Sequence, residues 1–390
     1  MNGNLLIVHG GGPTAVLNSS LYGVLKEAQK HSEIGTVYGA LGGTGGVLAG
    51  NFYDFSQMRP EMLELLKQTP ATIIGTSRKP LESSDYEQMI KVFKQHKIKY
   101  VLLNGGNGSM DACGKLYRAA WQEGIAVVGI PKTVDNDLSV TDHCPGFGSA
   151  ARYIAQTVAE ISEDVHSLPI HVCIIESMGR NAGWITAASA LATSQSSCGP
   201  DLICLPEVAF HEDRFLAEVE SLYQRQGCAV VVASEGLKNE DGSPVVKPVF
   251  QVGRSVYFGN VGEHLAGLVI KKLGIKARSE KPGLAGRSSI LYQSPTDSHE
   301  ASLAGAAACK AAVEGKTGIM IGFERLSSEP YRINLFEIPI EDVMLQERKM
   351  PEEFIAGAYG VTPEFLDWCR PLLGGPLLQF ARLNKESNLI

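Results

Sequence analysis

Apolar residues in this chain fall into short runs that break off at glycine or proline, and most runs lead into a stretch with helical spacing. Leu5-Leu-Ile-Val8 is followed at once by Gly10-Gly-Gly-Pro-Thr14. Leu17, Leu21, Val24, Leu25 and Ala28 then share one helical face between Ala15 and Lys30. Val37 to Leu41 reads as a second strand, with Gly42-Gly-Thr-Gly-Gly46 as a flexible loop. Ala71 to Ile74 reads as a third strand, closed by Gly75-Thr-Ser-Arg-Lys79. Lys99 to Leu103 is a fourth, before Asn104-Gly-Gly-Asn-Gly-Ser109 and a helix from Met110 to about Glu123. Ile125 to Ile130 is a fifth, stopped by Pro131.

The second half repeats the grammar. Tyr153 to Val165 has the spacing of a long helix, and Val172 to Ile175, Asp201 to Leu205 and Ala229 to Ala233 are strands. Strand, helix and strand are expected again at Ser289–Tyr292, Ala301–Ala312 and Gly318–Phe323. Alternation of this kind predicts an α/β fold, each lobe a mainly parallel sheet flanked by helices. A chain of 390 residues exceeds one average domain, so two lobes are expected. The first spans 1–140 and about 288–325, the second 141–287, and 326–390 forms a C-terminal extension.

Composition narrows the class. With 44% hydrophobic and 20% charged residues, the chain is neither disordered nor membrane-spanning. A net charge of −7 without a long charge block offers no basic face for nucleic acid, so an anionic substrate needs local Lys and Arg. Eight scattered cysteines without CxxC spacing read as small buried hydrophobes in a reducing compartment. Met1-Asn-Gly-Asn4 has no secretory signature, and a cytoplasmic protein is expected.

The chemistry concentrates past the fifth strand, in Lys132-Thr-Val-Asp-Asn-Asp137. One cation, one hydroxyl and two carboxylates there suit a site that handles a metal, a phosphate and a transferable proton. A capped loop whose acids serve a following helix is the other reading. The glycine turn at Gly10–Gly12 has the character of an anion site, though it is neither GxGxxG nor GK[ST]. Tight strand–helix packing explains that turn equally well. Three or four strand ends carry phosphate-compatible residues, and in open α/β sheets that edge binds ligands.

Taken in order, GGPTAVLN, IGTSR, GGNGS, PKTVDND, MGR and SEG resemble the 6-phosphofructokinase family over about residues 5–325, most of all its bacterial pyrophosphate-dependent branch. Thr141–Ala150, Met178–Trp184 and Lys349–Phe354 share that branch's wording. The resemblance implies Mg²⁺-dependent phosphoryl transfer to the 1-hydroxyl of fructose 6-phosphate, a donor lobe and a sugar-phosphate lobe with the active site in the cleft between them, and a homo-oligomer. It implies that Asp135 is the general base, that Lys132 and Arg180 assist, and that Asn107 and Asp137 serve the metal. Gly11, Gly12, Arg78, Gly108 and Ser109 are expected at the donor. Thr133, Val134, Asp135, Met178, Gly179, Arg180, Glu235, Arg278 and Arg287 are expected at the sugar phosphate, and His171 stands where many relatives carry a phosphate-binding arginine.

Two donor markers point in different directions. Lys132 is typical of pyrophosphate users. Gly108 stands where those enzymes carry an aspartate that excludes the ATP α-phosphate. Branch-wide wording favours pyrophosphate. An ATP-dependent kinase, a transferase acting on another sugar phosphate such as sedoheptulose 7-phosphate, and a non-catalytic sugar-phosphate-binding homologue are the alternatives.

Overall fold

The computed structural model describes residues 3–194, 197–252 and 255–382. The chain begins with β1 (Gly3–His9), α1 (Leu17–Ala28), β2 (Ile34–Ala40), α2 (Gly43–Ala49), β3 (Phe52–Asp54), α3 (Pro60–Leu65) and α4 (Ser83–Gln95). It continues through β4 (Ile98–Gly105), α5 (Asn107–Ala120), β5 (Ala126–Pro131) and α6 (Phe147–Ser167). Next come β6 (Val172–Ser177), α7 (Trp184–Ala188), β7 (Leu202–Cys204), α8 (Glu212–Gln226) and β8 (Ala229–Ser234). A hairpin of β9 (Pro248–Val252) and β10 (Ser255–Phe258) precedes α9 (Val261–Leu273) and β11 (Ala277–Glu280). The last part holds α10 (Ala285–Ser288), α11 (Pro295–Val313), β12 (Ile319–Ser328), β13 (Tyr331–Pro339) and α12 (Pro363–Cys369).

Two compact units emerge, Met1–Ala150 with Arg287–Arg348, and Ala151–Gly286 with Lys349–Ile390. The first holds a seven-stranded sheet in the order β13-β12-β5-β4-β1-β2-β3. Its five inner strands run parallel, and β3 and β13 are antiparallel edges. Period-2 alternation sorts its side chains. Leu5, Ile7, Leu102, Val128 and Ile130 pack with Leu21 and Val24 of α1 and Ala304 and Ala308 of α11. Leu6, Val8, Val101, Leu103 and Val127 pack on the opposite face with Met89 and Phe93 of α4 and Met110 and Leu116 of α5. Both faces are covered, which is why these strands read as unbroken apolar runs. The second unit holds a parallel four-stranded sheet, β11-β6-β8-β7, with its own core around Val172, Ile174, Phe215, Val231 and Leu265.

Several expectations change. Gly42–Gly46 is not a loop: its residues open α2, which starts and stops at glycines with positive φ. Ala71–Ile74 forms no strand, because β3 occupies the edge beside β2. Instead the Asn18 side chain accepts from Ile73 N, the Thr72 hydroxyl bonds to His9, and Ala71 takes φ +61°. Ser289–Tyr292 is a turn in which Gln293 N donates to Ile290 O, and Leu291 is 92% exposed. The segment 326–390 divides. β12 extends to Ser328 and β13 pairs with it, so that residues up to Arg348 join the first unit, while Lys349 onward joins the second. No helix among the described residues is long and apolar enough to cross a membrane.

Candidate active site

Parallel register brings three turns to one edge of the first unit's sheet. His9 pairs with Asn104 and Gly105 pairs with Pro131, so the turns after β1, β4 and β5 are neighbours. The turn after β5 carries Lys132 to Asp137. Lys132 is buried, and its Nζ donates to Gly12 O at 2.6 Å. Burial lowers its pKa to about 8, against the opposing charges of Asp135 and Asp137; Arg287 and Arg78 push it the same way as burial. A Cβ added at Gly12 would stand 2.7 Å from Arg287 Nη1 and 3.6 Å from Arg78 Nη2. Three cationic side chains therefore converge on the glycine turn, as an oligophosphate site requires.

Thr133 Oγ1 accepts from Asp135 N at 3.1 Å and its hydroxyl also bonds the Asp137 carboxylate. Burial raises the Asp137 pKa, and the bonds from Thr133 and Asn107 oppose the rise. Asn107 Nδ2 donates to Asp137 Oδ2 at 2.9 Å. Asn107 Oδ1 and Asp137 Oδ1 are buried with no hydrogen-bond partner. Two orphaned acceptor oxygens on a carboxylate and an amide fit a hard divalent cation that takes its other ligands from water and phosphate, as Mg²⁺ does. Among the described residues no group of three or more His, Cys, Asp or Glu is arranged to hold a metal by itself.

Asn107 and Gly108 open α5, and Ser109 N donates back to Gly106 O at 2.8 Å. A Cβ at Gly108 would meet nothing within 4 Å, and Ser109 Oγ lies close against Gly10 and Gly105. Behind this edge His9 is fully buried with Nδ1 2.7 Å from Thr72 Oγ1, and burial beside Lys132 drives its pKa to about 3, so the ring is neutral.

In the second unit, the turns after β6 and β8 meet. Ser234 Oγ donates to Gly179 O at 2.6 Å, and Glu235 N donates to Ser177 O. A Cβ at Gly236 would stand 1.7 Å from Arg180 O, so only glycine admits this approach. Burial raises the Glu235 pKa, against the nearby charges of Arg180 and Lys281. Met178 and Glu235 are half-buried beside them. Glu207 Oε1 accepts from Gly183 N and from Met350 N, tying the 178–184 turn to the chain after Lys349.

Arg278 is exposed on β11, and Arg287 lies in the first unit against Gly12. The family resemblance implies that both meet the sugar phosphate, and the structure places Arg287 beside the glycine turn. His171 is buried with neither ring nitrogen partnered, and burial, then Arg278 and Lys276, lower its pKa. A neutral imidazole there is a weaker anion ligand than arginine.

Sequence reasoning missed the residues that brace the Lys132–Asp137 turn. Asn136, between the two aspartates, is fully buried with φ +53° and accepts from Cys144 N at 2.9 Å. His143 lies between Asp142 Oδ2 (2.8 Å) and Glu300 Oε2 (2.7 Å), and Tyr331 and Arg325 complete the cluster. Only the Ser294-Pro-Thr-Asp297 helix-start pattern gave a local signal for this brace.

Residues 4–312 match the phosphofructokinase family model. The chain is 36% identical over 385 residues, 95% of this chain and 94% of the relative, to pyrophosphate--fructose 6-phosphate 1-phosphotransferase of Rhodospirillum rubrum. It is 37% identical over 391 residues, 96% of this chain and 92% of the relative, to the enzyme of the same name from Xanthomonas campestris. Among solved structures, pyrophosphate-dependent phosphofructokinase from Nitrosospira multiformis superposes with a TM-score of 0.88 at 36% identity, covering 98% of this chain and 94% of that one.

Proposed function

The chain belongs to the phosphofructokinase family, and from that membership we propose that it transfers a phosphoryl group from pyrophosphate to the 1-hydroxyl of fructose 6-phosphate, giving fructose 1,6-bisphosphate and phosphate. The observation that carries this reading is the edge where Lys132, Arg78 and Arg287 gather at Gly12, beside the orphaned oxygens of Asn107 and Asp137. Such an edge binds a small, highly charged donor with its cation. Near-full-length relatives named for pyrophosphate support the choice of donor.

Asp135 takes the proton of the attacking hydroxyl, which a positioned carboxylate does in phosphoryl transfer generally. Lys132 and Arg78 neutralise charge on the phosphates, with Gly11, Gly12, Gly108 and Ser109 lining the donor. Asn107 and Asp137 would hold Mg²⁺ through their orphaned oxygens, and the ion would supply charge neutralisation on the phosphate oxygens. Thr133, Val134, Met178, Gly179, Arg180 and Glu235 orient the sugar. Arg278, with Arg287 as its sequence-predicted partner, meets the 6-phosphate. Exposure of Arg278 supports a homo-oligomer in which it serves a neighbouring subunit. Eight free thiols support a cytoplasmic enzyme.

One observation favours a second donor. The space around Gly108 is open, so nothing at this position repels an ATP α-phosphate. Steady-state kcat/KM for pyrophosphate and ATP, with fructose 6-phosphate and Mg²⁺, decides between them. A preference for ATP overturns the donor assignment, and turnover that survives EDTA overturns the metal.

A further inference from the structure

We infer that Asp297, which belongs to neither the donor nor the sugar set, positions the Thr133–Asp137 turn for catalysis by gripping Gly146. The inference rests on the reading of that turn as the catalytic one. Asp297 sits in the first turn of α11, where Ser294 Oγ accepts from its N–H at 3.2 Å. Its carboxylate is buried and takes three hydrogen bonds. Gly146 N reaches Oδ1 at 2.8 Å, while Ser149 N (2.9 Å) and Ser149 Oγ (2.6 Å) reach Oδ2. These donors stand at the N-terminus of α6, where the helix dipole favours a negative charge. The three donors and the dipole satisfy a carboxylate that burial would otherwise penalise heavily.

Gly146 passes the constraint on. It holds φ +108°, and an added Cβ would stand 2.7 Å from Thr14 Cγ2 and 3.3 Å from Thr133 O. The segment is thus wedged between the residue that ends the glycine turn and the residue that begins the acid turn. Thr133 pairs with Gly146 as a parallel bridge, and Thr133 N donates to Pro145 O at 3.1 Å. From there Thr133 Oγ1 fixes Asp135 N and bonds Asp137. Cys144 N on Asn136 Oδ1 makes a second link between the same two segments.

α11 holds this segment twice. Glu300, three residues after Asp297 and on the same helix face, binds His143 at 2.7 Å. Residues 143–149 are therefore fastened at both ends to one helix, and the acid turn rests on the fastened stretch. The Asp297, Glu300 and Asn136 bonds in this route are all buried, so loss of one anchor is expected to shift the turn. A misplacement of about 1 Å at a reacting group costs on the order of 100-fold in rate.

The test uses the full-length enzyme. Asp297→Asn replaces one acceptor oxygen by an amide N–H, and Ser149→Ala removes one of the three donors. Asp297→Asn is expected to lower kcat by about 10- to 100-fold while KM for fructose 6-phosphate and pyrophosphate stays within about threefold. Ser149→Ala is expected to show the same pattern more weakly, and it carries the test should Asp297→Asn fold poorly. Thr133→Val closes a double-mutant cycle. Because one branch of the route ends at Thr133 Oγ1, the loss caused by either variant should be clearly smaller in that background, with the Cys144–Asn136 link carrying the remainder. Unchanged kcat in the folded variants, or the same fractional loss with and without Thr133→Val, overturns the inference. Asp135→Asn is assayed alongside: turnover retained there defeats the base assignment, while the cycle still reads whether Asp297 acts through Thr133.

Discussion

Lys132 Nζ donates to Gly12 O at 2.6 Å, so the turn after β5 is bonded directly to the turn after β1. The amine is buried, faces Arg287 and Arg78 across that glycine, and titrates at about 8. In the proposed role its protonated form neutralises phosphate charge, so activity is expected to need the proton. In kcat/KM for the free enzyme, the alkaline limb is expected near pH 8, with activity falling as pH rises through it. Lys132→Arg should move that limb upward, and Lys132→Met should lower kcat by about 10²- to 10³-fold at neutral pH. An unchanged profile in Lys132→Arg would show that another group titrates.

Asp135→Asn removes the proposed base and keeps the hydrogen bond to Thr133 Oγ1, which comes from the backbone N–H. The expected loss in kcat is about 10²- to 10⁴-fold. Fructose 6-phosphate should still bind with nearly the wild-type Kd by calorimetry. A variant with normal turnover would refute Asp135 as the base.

Gly108→Asp is sterically open, since a side chain there meets nothing within 4 Å, and a carboxylate in the first turn of α5 is favoured by the helix dipole. Any ATP use should fall by about tenfold or more through like-charge repulsion, with kcat/KM for pyrophosphate held within about threefold. Equal losses for both donors would place Gly108 outside donor selection.

His143 makes stability depend on pH. Burial alone would lower its pKa, but the charge of Glu300 and the hydrogen bonds to Asp142 and Glu300 together raise it to about 9, from an ordinary value of 6.5. A folded-state pKa above the unfolded one stabilises fully below about pH 6.5 and loses that stabilisation as pH rises through about 9. Thermal denaturation across that range should show Tm falling with pH, and His143→Gln should flatten the trend while lowering Tm at neutral pH. A wild-type Tm that does not fall with pH would refute the charged state of His143.

Sequence alone determined the strand–turn–helix grammar, the order of the motifs and the polar cluster from Lys132 to Asp137. Each is written within a few neighbouring residues: periodicity sets the face, and glycine or proline sets the stop. Even the helix at Gly43–Ala49 and the strandless Ala71–Ile74 escaped, because glycine composition outweighed a weak helical signal and an edge strand displaced an apolar run. Tertiary structure decided how the acid turn is held. Asp297 lies 151 residues from Gly146, and Glu300 lies 157 from His143. No local period encodes such pairings, since they arise only when α11 packs beside α1 and presents its first turn to α6. Folding also put Arg287 beside Gly12, a neighbour that no local pattern indicates. Local chemistry was legible because it is short-range; the bracing was not, because it depends on which distant helix the core brings alongside.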